Sequence, residues 1–386
     1  MKNKTWLIIS IAIVVLVLVI AIIGFNSGST GLLTLGNTKE QTIKIGVLAT
    51  QTGSGTYFGA QEIKGLNVAL DEINANGGIN GKKVELIIED TQSDSKQAIN
   101  ATNKLINIDN VEYIIGDSWN DTTLAIVPVT NDNKVIVISP AANLESLSKN
   151  DYMFRTTPTI KDMMIVLADY TYNDLGIRSV GIVLPGTAFS LEHEQYFREE
   201  FTKLGGTVYT EQFAPGTIDI KTELMKLKAK NPDAYFDLQF SGTLGTVMQQ
   251  GTDLELMDKV WLAHYGAQSD AMVNQYKDYT DGLIYTYTYD SSAQLKSMTE
   301  FNQKYQAKYN SLPDGTAANS YDALIILAKA IEHSRNDTDK AKEYLSTKIK
   351  NQKGASGIIS FDAYGNAKKD IIIKQIKNGK FVKISN

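Results

Sequence analysis

Small hydroxyl and amide side chains follow two neighbouring apolar runs of the chain. Residues 111–116 are followed by the polar loop 117–123, and residues 134–140 are followed by 141–143. Both runs are short and rich in β-branched residues, which predicts two buried strands of a parallel sheet. Loops at the carboxyl ends of such strands, facing helix N-termini, are suited to hold a small polar or anionic ligand. The sequence therefore predicts a small-molecule site at this edge of the sheet.

Aromatic side chains accompany these polar loops and recur at similar places later in the chain. Each falls where a predicted strand has just ended: Tyr57, Phe58, Trp119, Phe189, Phe240 and Tyr265. Aromatic rings beside polar groups are suitable walls for a small organic ligand. The sequence leaves open the alternative that some of these rings simply pack at the bases of loops.

Groups that would carry catalysis do not form a recognisable set. The chain has no cysteine, and its three histidines are scattered without the spacing of metal ligands. It contains no nucleophile elbow, phosphate-binding loop or His-Glu-x-x-His sequence. The glycines at 53, 55 and 59 follow the spacing Gly-x-Gly-x-x-x-Gly, one residue longer than the dinucleotide fingerprint. We therefore predict a binding protein without cofactor or metal, and not an enzyme.

Charge and length restrict the class of protein further. Lys and Arg total 38 against 43 Asp and Glu, which gives a net charge of -5, and no basic cluster stands out. Nucleic-acid-binding surfaces are usually basic, so the sequence argues against a nucleic acid partner. With 386 residues, of which 43% are hydrophobic, the chain is long enough for two domains with sizeable cores.

The N-terminal residues predict attachment to a membrane. Residues 6–23 are apolar apart from Ser10, close to the ~20 residues that cross a bilayer. Lys2 and Lys4 precede this run, which predicts a cytoplasmic N-terminus and an extracytoplasmic folded part. We predict a membrane anchor over 1–25, with a cleaved signal peptide as the alternative, and a flexible Gly/Ser/Thr/Asn-rich linker over 26–41.

From Ile43 onward, short apolar runs alternate with stretches of helical apolar spacing. A strand over 43–48 precedes a helix over 60–76, which a pair of glycines ends. A second series of the same kind begins at 160, after the sequence 155–158 interrupts the rhythm. This alternation predicts two α/β lobes, each built on a mostly parallel, doubly wound sheet.

Several segments together resemble a known family. They read IKIGVL at 43–48, GLNVALDEINANGGINGKKV at 65–84, YIIG at 113–116, ISPAA at 138–142 and FRTTP at 154–158. Residues 42–386 are similar to the leucine/isoleucine/valine-binding proteins, the type I periplasmic substrate-binding proteins of branched-chain amino acid ABC importers. The most specific segments lie before residue 160.

The resemblance implies the periplasmic binding protein-like I fold, in which two α/β lobes close on a ligand like a hinged clamp. The first lobe would comprise about 42–156 and 290–355, and the second about 157–289 and 356–386. Three crossing segments would form the hinge, at 155–158, 285–291 and 354–360.

The resemblance also implies contacts with the ligand. The group that receives a ligand carboxylate falls at Asn120, in the loop that also holds Ser118 and Trp119. Two further polar contacts fall at Ala141 and Asn143, in the loop after the next strand.

The remaining implied contacts are aromatic. Phe58 falls at a wall of the first lobe, and Phe189 and Phe240 fall at aromatic positions of the second. Tyr265 falls where amino acid binders carry the acidic group that holds the ligand's ammonium. Because a buried ammonium without a carboxylate is costly, an amino acid ligand requires a substitute. The sequence offers four candidates for it: Asp117, Asp121, Asp237 and Asp290.

These expectations combine into one functional hypothesis. The chain is expected to be an extracytoplasmic solute-binding protein that delivers a small polar organic molecule to an ABC permease. An amino acid, an amide or a related carboxylate fits the predicted site. The alternative is a ligand-sensing ectodomain that works with a separate signalling partner.

Overall fold

The structure, a computed structural model, describes residues 42–385, without the side chains of Lys149 and Ser241. The predicted anchor over 1–25 and linker over 26–41 lie outside the described residues. Within 42–385, no helix is both long enough and apolar enough to cross a membrane.

The first part of the chain forms a parallel five-stranded sheet in the order β2-β1-β3-β4-β5. Strands β3 and β4 are buried along their whole length, as expected for strands covered on both faces by helices. A 3-10 turn, Glu145–Lys149, joins β4 to β5. The elements are β1 (Ile43–Ala49), α1 (Thr56–Ala75), β2 (Val84–Asp90), α2 (Ser95–Asn107), β3 (Tyr113–Gly116), α3 (Asn120–Asp132), β4 (Ile136–Ser139) and β5 (Met153–Arg155).

The second part forms another sheet from five parallel strands, in the order β10-β9-β8-β6-β7. A π-helical turn, Tyr170–Asp174, extends its first helix, and a 3-10 turn, Tyr265–Ala267, follows β9. The elements are α4 (Ile160–Asp169), β6 (Ser179–Pro185), α5 (Ala188–Lys203), β7 (Thr207–Phe213), α6 (Lys221–Lys228), β8 (Ala234–Asp237), α7 (Ser241–Asp253), β9 (Val260–Ala263), α8 (Asp270–Gln275) and β10 (Ile284–Tyr287).

The last part of the chain returns to the first sheet and then adds two antiparallel strands to the second. Helix α10 packs along α1, and a Cβ at Gly65 would lie 2.0 Å from the Ala317 carbonyl oxygen, so the two helices are in close contact. The elements are α9 (Lys296–Tyr309), α10 (Gly315–Ser334), α11 (Thr338–Lys348), β11 (Gln352–Gly354), β12 (Gly357–Phe361), β13 (Ala367–Lys368), β14 (Ile372–Lys377) and β15 (Lys380–Ser385).

The prediction of two doubly wound α/β lobes is confirmed. We define the first lobe as the five-stranded sheet with α1–α3, α9–α11 and β11–β13, and the second lobe as the seven-stranded sheet with α4–α8. The chain passes between them after β5, after β10 and between β13 and β14.

The third crossing differs from the expected position at 354–360. Ile359, Phe361 and Ala367 are buried in the core of the first lobe, and Phe361 packs against Phe154 at 5.5 Å between ring centroids. Residues 356–368 therefore belong to the first lobe, and the chain crosses at 369–371. The apolar alternation of β12 is the same as that of a strand in the second sheet, so the sequence pattern alone does not show which core it joins.

Two of the crossings meet at one residue, Asn319. The Thr156 hydroxyl donates to the Asn319 carbonyl oxygen at 2.9 Å, and the Lys369 ammonium donates to the Asn319 side-chain oxygen at 2.9 Å. Asn319 lies in the first half of α10 and also faces the space between the lobes. The first and third hinge segments are thus tied to the same helix that borders the candidate site.

Candidate functional site

A cavity of about 750 Å³ lies between the two lobes, and its walls come from both. The first lobe contributes loops at the carboxyl ends of β1, β3 and β4 together with the N-terminus of α10. The second lobe contributes loops that follow β8, β9 and β10. Cavities of ~300–1,000 Å³ are the usual size for small-molecule sites.

Six of the nine predicted site residues line this cavity, and three do not. Those that line it are Phe58, Trp119, Ala141, Asn143, Phe240 and Tyr265. Trp119 follows β3 and Asn143 follows β4. The two polar loops predicted at 117–123 and 141–143 therefore meet at the cavity.

Asn120 lies behind the cavity wall and holds one of its loops in place. Its side-chain oxygen accepts hydrogen bonds from the backbone N–H of Asn143 at 2.8 Å and of Leu144 at 3.2 Å. Its amide nitrogen donates to the Asn143 side-chain oxygen at 3.2 Å. The residue expected to receive a ligand carboxylate instead fixes the position of Asn143.

Ser118 is also turned away from the cavity. Its hydroxyl donates to the Glu62 carboxylate at 2.6 Å, and both side chains are buried. Burial, together with the nearby Asp117, raises the pKa of Glu62 well above its usual range. Asp117 is itself surrounded by the hydroxyls of Thr50, Thr91 and Thr122. These buried contacts hold the end of β3 in the orientation that exposes Trp119.

Aromatic rings form a continuous row from one lobe to the other. Phe58 and Trp119 of the first lobe are 6.2 Å apart between ring centroids. Trp119 stacks on Phe240 of the second lobe at 5.5 Å with an interplanar angle of 29°. Phe189 stacks behind Phe240 at 4.6 Å and is buried, so it supports the wall without lining it. The structure thus joins the lobes by an aromatic contact.

Tyr265 of the second lobe also contacts the first lobe, at Asn143. Burial raises the pKa of its hydroxyl above the usual range, and a hydrogen bond with the Asn143 side chain partly offsets this effect. Its position is set by His264, whose Nδ1 accepts from the Gly266 N–H at 3.0 Å and whose Nε2 lies 2.8 Å from the Gln239 carbonyl oxygen. Burial lowers the pKa of His264 to about 4, so this histidine is neutral at pH 7 and has a structural role.

None of the four carboxylates proposed as partners for a ligand ammonium lines the cavity: Asp117, Asp121, Asp237 and Asp290. Asp314 does line it, from the loop before α10. Sequence reasoning missed this residue because Pro-Asp-Gly at 313–315 indicates only a helix start. That α10 returns to the first lobe and points its N-terminus at the cavity is a property of the tertiary structure.

Polar side chains of the second lobe were also missed. Gln268 lines the cavity, and its side-chain oxygen accepts from the Tyr285 hydroxyl at 2.7 Å and from the Lys374 ammonium at 2.8 Å. Gln268 follows a three-residue 3-10 turn, for which the sequence offers no periodic signal. Within the described residues, no group of three or more His, Asp or Glu side chains is arranged to hold a metal ion.

Comparison with known proteins agrees with this architecture. Residues 42–380 match the family described as periplasmic binding protein. The chain belongs to this family. The resemblance inferred from the sequence is therefore confirmed, and so is the prediction that the protein is not an enzyme, because this family binds solutes for ABC transporters. Family membership also indicates that the folded domain is extracytoplasmic.

Individual relatives are distant in sequence but similar over most of their length. A Leu/Ile/Val-binding protein of Citrobacter freundii is 25% identical over 331 residues, covering 84% of this chain and 88% of the relative. A leucine-binding protein from Thermotoga maritima has a TM-score of 0.83 at 28% identity and covers 89% of this chain and 98% of its own. A branched-chain amino acid transporter substrate-binding protein from Streptococcus pneumoniae, solved with isoleucine, has a TM-score of 0.80 at 28% identity, with 89% and 100% covered.

Proposed function

We propose that the protein captures a small polar organic solute by closure of its two lobes and delivers it to the permease of an ABC importer. The observation that carries this proposal is the cavity of about 750 Å³, whose walls come from both lobes. A solute that contacts both walls binds the closed arrangement more tightly than an open one, and so it favours closure. The membership in a solute-binding family supports the same conclusion.

The two kinds of wall suggest how a solute is oriented. Polar groups at Ala141 and Asn143 lie beside the N-terminus of α3, where backbone N–H groups favour a negatively charged or polar head group. Phe58, Trp119 and Phe240 offer ring surfaces for an apolar body. The polar loops and the aromatic row together suit a solute with one polar end and an apolar body of modest size.

Delivery is easier for a protein that stays at the membrane. The apolar run 6–23 and the linker 26–41 would tether the binding domain beside its permease. A flexible tether of this kind raises the local concentration of the binding domain at the membrane to about the millimolar range. Protease shaving of intact cells followed by detection of the residual N-terminal fragment tests this part of the proposal, and recovery of the intact domain in the culture fluid would contradict it.

A thermal-shift screen of the purified protein tests the binding function itself. The compounds are the amino acids, small amides and small carboxylates, with nucleotides as an unrelated class. A ligand at 100 times its dissociation constant stabilises the folded state by about 2.7 kcal/mol, which is a measurable shift in Tm. We expect at least one compound of the first three classes to raise Tm. A screen in which only nucleotides raise Tm would refute the proposal.

Asn143→Leu tests the location of the site. Asn143 is 1% exposed, lines the cavity and exchanges hydrogen bonds with Asn120. Its backbone contacts survive the substitution, but the polar side chain facing the cavity is lost. We expect the affinity for the compound found in the screen to fall at least ~10-fold, the effect of losing one charge-assisted or buried hydrogen bond.

The matched control is Asn133→Leu at the other end of α3, where the exposed side chain donates to the Val129 carbonyl oxygen. We expect this variant to bind like the wild type. Equal affinity in Asn143→Leu and the wild type, measured by titration calorimetry, would remove Asn143 from the site.

A further inference from the structure

The charge of the cavity wall is carried by one residue. Of the side chains that line the cavity, Asp314 alone is ionisable as an acid or base near neutral pH, and no lysine or arginine is among them. Burial raises the pKa of Asp314, and the Lys64 ammonium, which lies over the Tyr309 ring and does not line the cavity, partly offsets this effect. The cavity wall therefore offers an acidic group and no basic side chain at this point.

The Asp314 carboxylate is held firmly and still has room for a ligand. One oxygen accepts from the Ala317 backbone N–H at 2.9 Å, as an N-cap does, and the other accepts from the Tyr57 hydroxyl at 2.9 Å. Each carboxylate oxygen offers a second acceptor direction, because an ionised carboxylate has about four acceptor sites in total. The side chain is partly exposed to the space between the lobes. Two fixed donors therefore orient an anionic acceptor towards the cavity.

Aromatic rings surround this carboxylate on the cavity side. Tyr57 and Phe58 contact each other at 5.6 Å between centroids, and the Tyr287 hydroxyl accepts from the Gly315 N–H at 3.1 Å, one residue from Asp314. Tyr57, Phe58, Trp119 and Tyr287 all line the same cavity. Ring faces attract organic ammonium ions, and a carboxylate beside them supplies the opposite charge. An anionic group at this place would be repelled.

The N-cap role alone does not account for this arrangement. Capping uses a single oxygen of Asp314, and Asn or Ser would serve as well there without introducing a charge. The second oxygen is bonded to Tyr57, which comes from the first loop of the lobe, 257 positions away in the chain. Burial without a cationic partner in the same cavity raises the pKa of this carboxyl, and a cationic ligand would remove that cost of ionisation.

We propose that Asp314, with the aromatic rings of Tyr57, Phe58 and Tyr287, is the cation-binding subsite of the cavity, and that the solute therefore carries an organic ammonium group. This inference depends on the proposed solute-binding function and specifies the class of solute. It also places the ammonium beside a carboxylate of the first lobe, whereas the acidic group expected from the resemblance falls at Tyr265 of the second lobe. The four carboxylates suggested by the sequence have no part in it.

Matched compounds distinguish recognition of a solute's ammonium group from recognition of its carboxylate. The first set is L-phenylalanine, 2-phenylethylamine, which lacks the carboxylate, and 3-phenylpropanoate, which lacks the ammonium. The second set is L-leucine, 3-methylbutylamine and 4-methylpentanoate. We expect amines of at least one set to raise the Tm of the full-length protein and both ammonium-free acids to leave it unchanged. Stabilisation by the acids but not by the amines would overturn the inference and leave the solute-binding function standing.

Asp314→Asn tests the residue directly. Asparagine keeps the N-cap with its oxygen, and its amide NH2 can donate to the Tyr57 hydroxyl oxygen, so the variant removes the charge with little effect on the fold. We expect the affinity for the amine that binds the wild type to fall at least ~10-fold, which corresponds to about 1.4 kcal/mol. The matched control is Asp337→Asn at the exposed N-cap of α11, where the carboxylate accepts from the Lys340 N–H at 3.0 Å.

The control is expected to bind like the wild type. Unchanged amine affinity in Asp314→Asn, with a circular dichroism spectrum and unliganded Tm like those of the control, would overturn the inference. If none of the six compounds and no member of the wider screen raises Tm, the proposed solute-binding function fails as well.

Discussion

Asp237→Asn is expected to change how the stability of the protein depends on pH. Asp237 ends β8, is fully buried, and accepts one hydrogen bond, from the Gln239 N–H at 3.0 Å. Its other oxygen has no hydrogen-bond partner. Burial therefore raises the pKa of Asp237 from 3.8 to about 8. At pH 7 this carboxyl is protonated in the folded protein and ionised in the unfolded chain.

The direction and size of the effect follow from this difference. Because the folded-state pKa is raised, the contribution of Asp237 to stability is present below pH 3.8 and is lost as the pH rises towards about 8. Each pH unit in this window costs about 1.4 kcal/mol for a single group. Asparagine does not titrate, so the variant lacks this loss. We expect the stability difference between variant and wild type to move in favour of the variant by up to ~5 kcal/mol between pH 4 and pH 8.

Urea unfolding at several pH values between 4 and 8 measures this difference. Plotting the free energy of unfolding against pH for both proteins separates proton binding from the cost of placing an amide in the core. That cost is the same at every pH, so it shifts the plot of the variant without changing its slope. Parallel pH profiles of the two proteins would show that Asp237 is ionised in the folded state, and the reasoning from its burial would be wrong.

Two further substitutions test contacts between the lobes. Trp119→Leu removes the ring that stacks on Phe240. We expect calorimetric titration to show a ~3- to ~10-fold weaker affinity of this variant for the solute. An unchanged affinity would mean that the aromatic contact does not contribute to closure. Glu192 of the second lobe accepts a hydrogen bond from the Glu145 N–H of the first lobe at 2.9 Å. Burial raises the pKa of Glu192 from 4.5 to about 7. The contribution of Glu192 to stability is therefore present below pH 4.5 and is lost as the pH rises through 7. Glu192→Gln should therefore flatten the fall in Tm between pH 5 and pH 8, and a fall as steep as in the wild type would contradict this assignment.

The loops of the first lobe that line the cavity could be predicted from the sequence because local patterns determine them. Buried parallel strands end at Gly116 and Ser139, and the loops that follow them face the cavity for topological reasons. The loops that hold Trp119, Ala141 and Asn143 could therefore be placed from the order of the residues, whereas the individual contacts at Ala141 and Asn143 come from the family resemblance. Spacing does not show which side chain of a loop faces outward, and the resemblance places Asn120 at the ligand, whereas in the structure Asn120 holds the neighbouring loop.

Parts of the structure that depend on long-range packing could not be predicted in the same way. Asp314 reaches the cavity because α10 packs along α1, a contact between segments some 250 residues apart. Residues 356–368 join the first lobe because Ile359 and Phe361 find their partners there. A period-2 apolar pattern specifies a strand but not the core against which it packs.

Intrinsic fluorescence tests the central claim most directly, because Trp119 lies in the cavity whereas Trp261 is buried in the second lobe, stacked on Tyr235 at 4.9 Å. We predict that the compound selected by the thermal screen changes the emission of the wild type and of Trp261→Phe with the affinity found by calorimetry. Trp119→Phe should lose this change in emission and still release heat on binding. A solute that binds by calorimetry and changes the emission of Trp119→Phe as much as that of the wild type would show that it binds outside the space between the lobes.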